Sequence, residues 1–130
     1  MQVTVRSAQI KSKSEKAIKK VEKDIFKALD RGIDYLSLVT PVYTGAYARS
    51  MHLNTRGDRS GRGESSNRKE RVADINSELN AMEARLADSL GSLELLDGAT
   101  FINNAPHANK VEIRYAIFEQ LRDVIGAPTR

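Results

Sequence analysis

The 130-residue sequence contains no cysteine and no tryptophan, and only three prolines, three phenylalanines and four tyrosines. Without cysteine there is no disulfide, no zinc–thiolate site and no thiol nucleophile. That absence suits a reducing compartment such as bacterial cytoplasm. With aromatic residues at 5%, a platform for stacking bases or sugars is not expected. Long apolar runs are missing too. No stretch approaches the ~18 apolar residues of a membrane span, and the opening Met1-Gln2-Val3-Thr4-Val5-Arg6 lacks the apolar run of a secretion signal. The two histidines, His52 and His107, stand far apart with no ligand spacing around them. There is no HExxH, P-loop or GxSxG. Asp30 and Asp34, one helical turn apart, read as solvated charge on a basic helix. Arg56-Gly57-Asp58 matches a short adhesion tripeptide and carries no weight. No catalytic residue, metal or cofactor is expected.

What is present is a chain long enough for one small domain, 40% hydrophobic and 29% charged, with charge laid out unevenly. The net is +4. Residues 1–23 carry +5, residues 24–54 balance, residues 55–72 carry +3, and residues 73–130 carry −4. Such polarity suits contact with DNA at one end, or head-to-tail stacking of identical subunits. Solvated helix faces would give the same pattern.

The period of the hydrophobic residues predicts an α+β fold. Val3 and Val5 alternate with polar neighbours, as in a half-buried strand. Ser14 can cap a helix over 14–39, whose apolar stripe is Ile18, Val21, Ile25, Leu29, Ile33 and Leu36. Pro41 ends it, because the residue before a proline is pushed out of helical geometry. Residues 47–54 are expected as a strand, with Tyr47, Met51 and Leu53 on one side. The segment 55–66 holds three glycines and no apolar residue, and is expected to be a flexible loop. Asn67 and Glu70 resemble a capping box opening a helix over about 67–90. Residues 98–103 read as a second strand. The last segment fits either period, strand or helix, over 110–117; good helix formers at 119–122 favour a helix over most of 107–125. The expected whole is one domain at 1–130, its long N-terminal helix packed on a small antiparallel sheet.

Two segments carry a resemblance. The first is Thr40-Pro41-Val42-Tyr43-Thr44-Gly45-Ala46-Tyr47-Ala48-Arg49-Ser50-Met51. The second, about fifty residues later, is Phe101-Ile102-Asn103-Asn104-Ala105-Pro106-His107-Ala108-Asn109-Lys110-Val111-Glu112. In order and spacing this pair resembles the head–tail joining proteins of tailed bacteriophages, also called neck, tail-completion or minor tail proteins of the Z type. The residues that carry it are Thr40, Pro41, Thr44, Gly45, Ser50, Asn104, Pro106, Ala108 and Glu112. Tyr43 stands where the family usually has Asp, His107 where Tyr is common, and Arg114 where Gly often follows the glutamate. The loop and helix at about 55–90 look like an insertion.

The resemblance implies a structural, non-enzymatic virion protein. It would form a homo-oligomeric ring of six or twelve copies between the portal or connector and the tail, with other neck and tail proteins as partners. Its place would be the head–tail junction of the virion, and the host cytoplasm during assembly. The residues themselves also allow a second reading, a small basic accessory protein that binds DNA without sequence preference. Lys16, Lys19, Lys20 and Lys23 on the first helix, and Arg56, Arg59 and Arg62 in the loop, are the candidate contacts to DNA or to a neighbouring ring.

Overall fold

The structure is a computed structural model that describes residues 1–5, 15–42, 44–64 and 71–126. Ser14 and the Asn67/Glu70 pair lie outside the described residues. The elements run β1 (Gln2–Val5), α1 (Glu15–Val39), α2 (Ala46–Arg49), β2 (Met51–Thr55), α3 (Ile75–Ser92), a 3₁₀ turn (Leu95–Asp97), β3 (Ala99–Asn103), α4 (Ala108–Tyr115) and α5 (Ile117–Gly126). The fold is α+β. β3 lies between β1 and β2 and is antiparallel to both. Val3 sits opposite Phe101 and Leu53 opposite Phe101, so the pleat turns Val3, Leu53 and Phe101 to one face.

That inner face meets the helices. α1 buries Ile25, Leu29, Ile33 and Leu36, the last four members of the expected stripe. Val21 is partly buried against the same core, and Ile18 is half-exposed where the helix outruns it. Met82, Leu86 and Leu90 of α3 and Ile117, Phe118 and Leu121 of α5 complete one cluster with Met51, Leu53 and Phe101. α1 and α5 approach closely at Gly32, where a side chain would press on Leu121 and Ile125. At about 25 cal/mol per Å² of apolar area buried, this shared cluster is what holds α1 to the sheet.

Three expectations need correction. Residues 47–54 are not all strand: Ala46–Arg49 form a helical turn before β2 begins at Met51. The Ser50 hydroxyl donates to the Ala46 carbonyl at 2.7 Å, and the Arg85 guanidinium donates to the carbonyls of Ala48 and Met51. These bonds satisfy a helix end that a strand would not offer. The helix expected from 67 begins at Ile75. Residues 71–74 are not helical, and the Asp74 carboxylate caps α3 by accepting from Asn76 N and Ser77 N.

The helix over 107–125 is two helices. Ala116 takes left-handed geometry (φ 50°, ψ 41°) between them, and the Glu112 carboxylate then accepts from Phe118 N and Glu119 N, the orphan donors that open α5. The choice between strand and helix at 110–117 resolves as helix, broken at that residue. The segment after β2 is an irregular, exposed loop over its described residues, and its backbone is tied to the sheet. Gly57 N donates to Thr100 Oγ1, Asn54 Nδ2 to the carbonyls of Asp58 and Ser60, Asn104 Nδ2 to those of Arg59 and Gly61, and Glu64 N to Ser50 Oγ. His52 Nε2 lies 2.9 Å from the Arg62 carbonyl. Side chains from the outer face of the sheet thus hold the loop over that face, and all five residues of β3 are buried. Sequence composition could not show this, because the partners lie in and beside β2 and β3.

Candidate functional site

The two motif segments, distant in sequence, meet in one joint. Thr40 ends α1 with its N–H donated to the Leu36 carbonyl. Thr44 Oγ1 accepts from Ala46 N at 3.4 Å. Gly45 then takes φ 87°, a region that costs an L side chain strain but glycine nothing. A side chain there would also press on Val72 and Arg49. From the other segment, Asn103 donates through Nδ2 to the Tyr47 carbonyl at 2.8 Å and accepts from Ala105 N at 3.0 Å. The Tyr47 and His107 rings stand edge to face, centroids 6.1 Å apart. Ala108 is buried and Pro106 is exposed.

Most polar motif residues are consumed by this joint. Ser50 is 0% exposed and bonds the Ala46 carbonyl and Glu64 N. Glu112 caps α5. Arg49 makes a two-pronged ion pair with Glu78 of α3, at 2.5 and 3.1 Å, which fastens the expected insertion to the joint. Asn103, Tyr47, Arg49 and Arg85 were not picked out from the sequence as working residues. One signal was available for Asn103: it shares the inward register of Phe101, where a polar side chain needs partners.

Between the turn at 40–47 and α4 lies a groove of about 320 Å³, lined by Pro41, Val42, Thr44, Gly45, Ala46, Tyr47, His107, Val111 and Tyr115. Three buried polar atoms belong to this region and have no hydrogen-bond partner among the described residues: Thr40 Oγ1, the Tyr47 hydroxyl and His107 Nδ1. Tyr47 is 3% exposed. Burial, and then the nearby Glu112 carboxylate, push its pKa up, so it is a neutral phenol and a hydrogen-bond donor. Burial, with Lys110 close by, pulls the His107 pKa down, which favours the neutral ring. The groove is therefore uncharged on its walls, apolar in the main, and short of an acceptor for Tyr47.

The basic candidates fall elsewhere. Lys16, Lys19, Lys20 and Lys23 are exposed on one side of α1. Arg56, Arg59 and Arg62 are exposed on the loop that covers the outer face of the sheet. Nothing in the fold brings the lysines to the motif joint. Among the described residues no cluster of His, Cys, Asp or Glu could hold a metal ion, and no helix is long and apolar enough to cross a membrane. No family model, curated protein or solved structure matches the chain.

Proposed function

We propose that this protein is a structural, non-enzymatic subunit of a tailed bacteriophage, forming a ring at the head–tail junction through which DNA passes. One observation carries the reading. The two segments that resemble head–tail joining proteins fold into a single joint, and that joint borders a groove whose lining residues Tyr47 and His107 each carry a buried polar atom with no partner among the described residues. A buried donor or acceptor without a partner costs roughly 1–3 kcal/mol. A surface of this kind is one that a neighbouring chain completes. In a ring the occupant is the next copy of the same chain, an arrangement in which two different patches meet head to tail and the rotation closes. A backbone segment of that copy supplies apolar atoms for Pro41, Val42 and Val111, and a carbonyl for Tyr47 where the groove opens to admit it. The separation of +5 on residues 1–23 from −4 on residues 73–130 gives such contacts a direction, although exposed pairs contribute only ~0–1 kcal/mol each.

The test is localisation together with assembly. Antibody against this chain should mark the head–tail junction of tailed particles from cells that make it, and the purified chain should sediment as a closed oligomer. A chain that stays monomeric at every concentration, is missing from such particles and binds DNA in a salt-sensitive way would overturn the reading in favour of a DNA-binding accessory protein.

A further inference from the structure

We propose that the loop at 56–64 is a contact surface for the phosphate backbone of double-stranded DNA. The argument starts from which groups the loop turns inward. The carbonyls of Asp58, Arg59, Ser60, Gly61 and Arg62 all find partners on the outer face of the sheet, namely Asn54, Asn104 and His52. The loop lies so close that a side chain at Gly61 would collide with the His52 ring, and one at Gly63 with the Asn104 carbonyl. With the backbone spent on the sheet, Arg56, Arg59 and Arg62 are left in solvent.

Local acids offset these arginines only in part. The Asp58 carboxylate accepts from Ser60 N and stays ionised, and Glu64 pairs with Arg62 at 3.7 Å, so the loop keeps a net positive charge. Among the described residues Arg56 and Arg59 have no carboxylate within ion-pair distance. A guanidinium is suited to bidentate phosphate binding and stays charged at any physiological pH. Holding its backbone in place lowers the entropy lost on binding.

The chemistry of the surface selects the partner. From Thr55 to Ser66 there is no apolar side chain, so a protein partner would find nothing hydrophobic to bury. There is no aromatic ring either, so unpaired bases have nothing to stack on. What remains is charge alone, which is how a protein holds duplex DNA without reading its sequence. This inference does not depend on the neck reading, since it rests on a different face of the molecule.

The probe is a fluorescein-labelled duplex of arbitrary sequence, about 24 base pairs long, titrated with the full chain between about 50 and 300 mM KCl. Three phosphate contacts, at roughly 0.9 per phosphate, steepen the slope of log K on log salt by about 2.7. Replacing all three residues (Arg56→Gln, Arg59→Gln, Arg62→Gln) should therefore cut the slope by about 2–3 and weaken binding at least ~10-fold at low salt. Circular dichroism should be unchanged, because the three side chains are exposed. The triple change His52→Ala, Asn54→Ala and Asn104→Ala keeps every arginine but removes all the side chains that hold the carbonyls at 58–62, which releases the loop; affinity should fall several-fold. No binding by the natural chain at low salt, an unaltered slope in the triple arginine variant, tighter binding of single strands than of duplex, or an unaltered affinity in the released-loop variant would each overturn the proposal.

Discussion

Tyr47→Phe separates what the joint does for the single subunit from what it does between subunits. In the subunit the hydroxyl is buried and has no partner among the described residues, with the residue 3% exposed. Removing a buried hydroxyl that has no acceptor recovers its desolvation cost, roughly 1–3 kcal/mol from comparable substitutions. The ring itself keeps its edge-to-face contact with His107 at 6.1 Å, so little packing is lost. The dilute monomer should gain about 1–2 kcal/mol, a rise in Tm of some 3–8 °C for a domain of this size. Assembly should respond in the opposite direction. If the hydroxyl donates to a carbonyl of the next copy, its loss raises the dissociation constant about 10-fold, at 1.4 kcal/mol per decade. Urea melts at sub-micromolar concentration read the first effect, and sedimentation across a concentration series reads the second. A dilute monomer made less stable by more than about 1 kcal/mol would mean that the hydroxyl has a partner within its own chain. An unchanged association constant would mean that it faces no neighbouring subunit.

Asn103→Ala leaves the Tyr47 carbonyl and Ala105 N unpaired inside the joint and should cost about 2–4 kcal/mol; a loss below ~0.5 kcal/mol in urea unfolding would refute the account of the joint. Leu29→Ala, at a position 0% exposed, should cost roughly 2–5 kcal/mol, read by the same melts. Glu112→Ala removes the acceptor of two N–H groups at the start of α5 and should cost about 1–2 kcal/mol with a fall in helicity, partly restored in Glu112→Gln. His107 has its folded pKa below the ordinary value, through burial and then Lys110. The unfolded chain therefore takes up that proton more readily, so the contribution is complete above the unfolded pKa of about 6.5 and is lost as pH falls below it. His107→Gln should flatten the urea midpoint between about pH 7 and pH 5; an identical slope would refute the assignment.

The layout of the fold was legible where one period dominated. The stripe from Ile18 to Leu36 marked α1, and Pro41 marked its stop after Val39. β3 was legible from Thr100, Phe101 and Ile102, all suited to a strand. The signal failed where a tertiary partner overrode local pattern. Tyr47, Met51 and Leu53 look like one alternating strand, yet Ser50 and Arg85 stabilise a helical turn through carbonyls that only the folded chain brings within reach. Ala116 has no residue type that announces left-handed geometry; it is held there because Glu112, four residues back, caps the next helix. The anchors of the loop were hidden for the same reason. Its own composition is that of a solvated segment, and its anchors are His52, Asn54, Thr100 and Asn104. Of the motif, the sequence located both halves, but it could not show that Ser50, Arg49 and Glu112 are spent on folding while Thr40, Tyr47 and His107 are left with unpaired atoms.

Two consecutive residues make the groove and the loop separable by experiment. Asn103 and Asn104 follow one another at the end of β3, and the pleat sends them opposite ways. Asn103 turns inward to the Tyr47 carbonyl and closes the joint. Asn104 turns outward to the carbonyls of Arg59 and Gly61 and holds the loop. The groove depends on the first and the arginine surface on the second. Substitutions at Asn104 should thus change contact with DNA while leaving the joint closed. Substitutions at Asn103 should open the joint and disturb subunit association, with the loop still tethered through Asn54 and His52. The groove and the arginine loop share no lining residue, so in a ring one can meet the next subunit while the other meets the duplex.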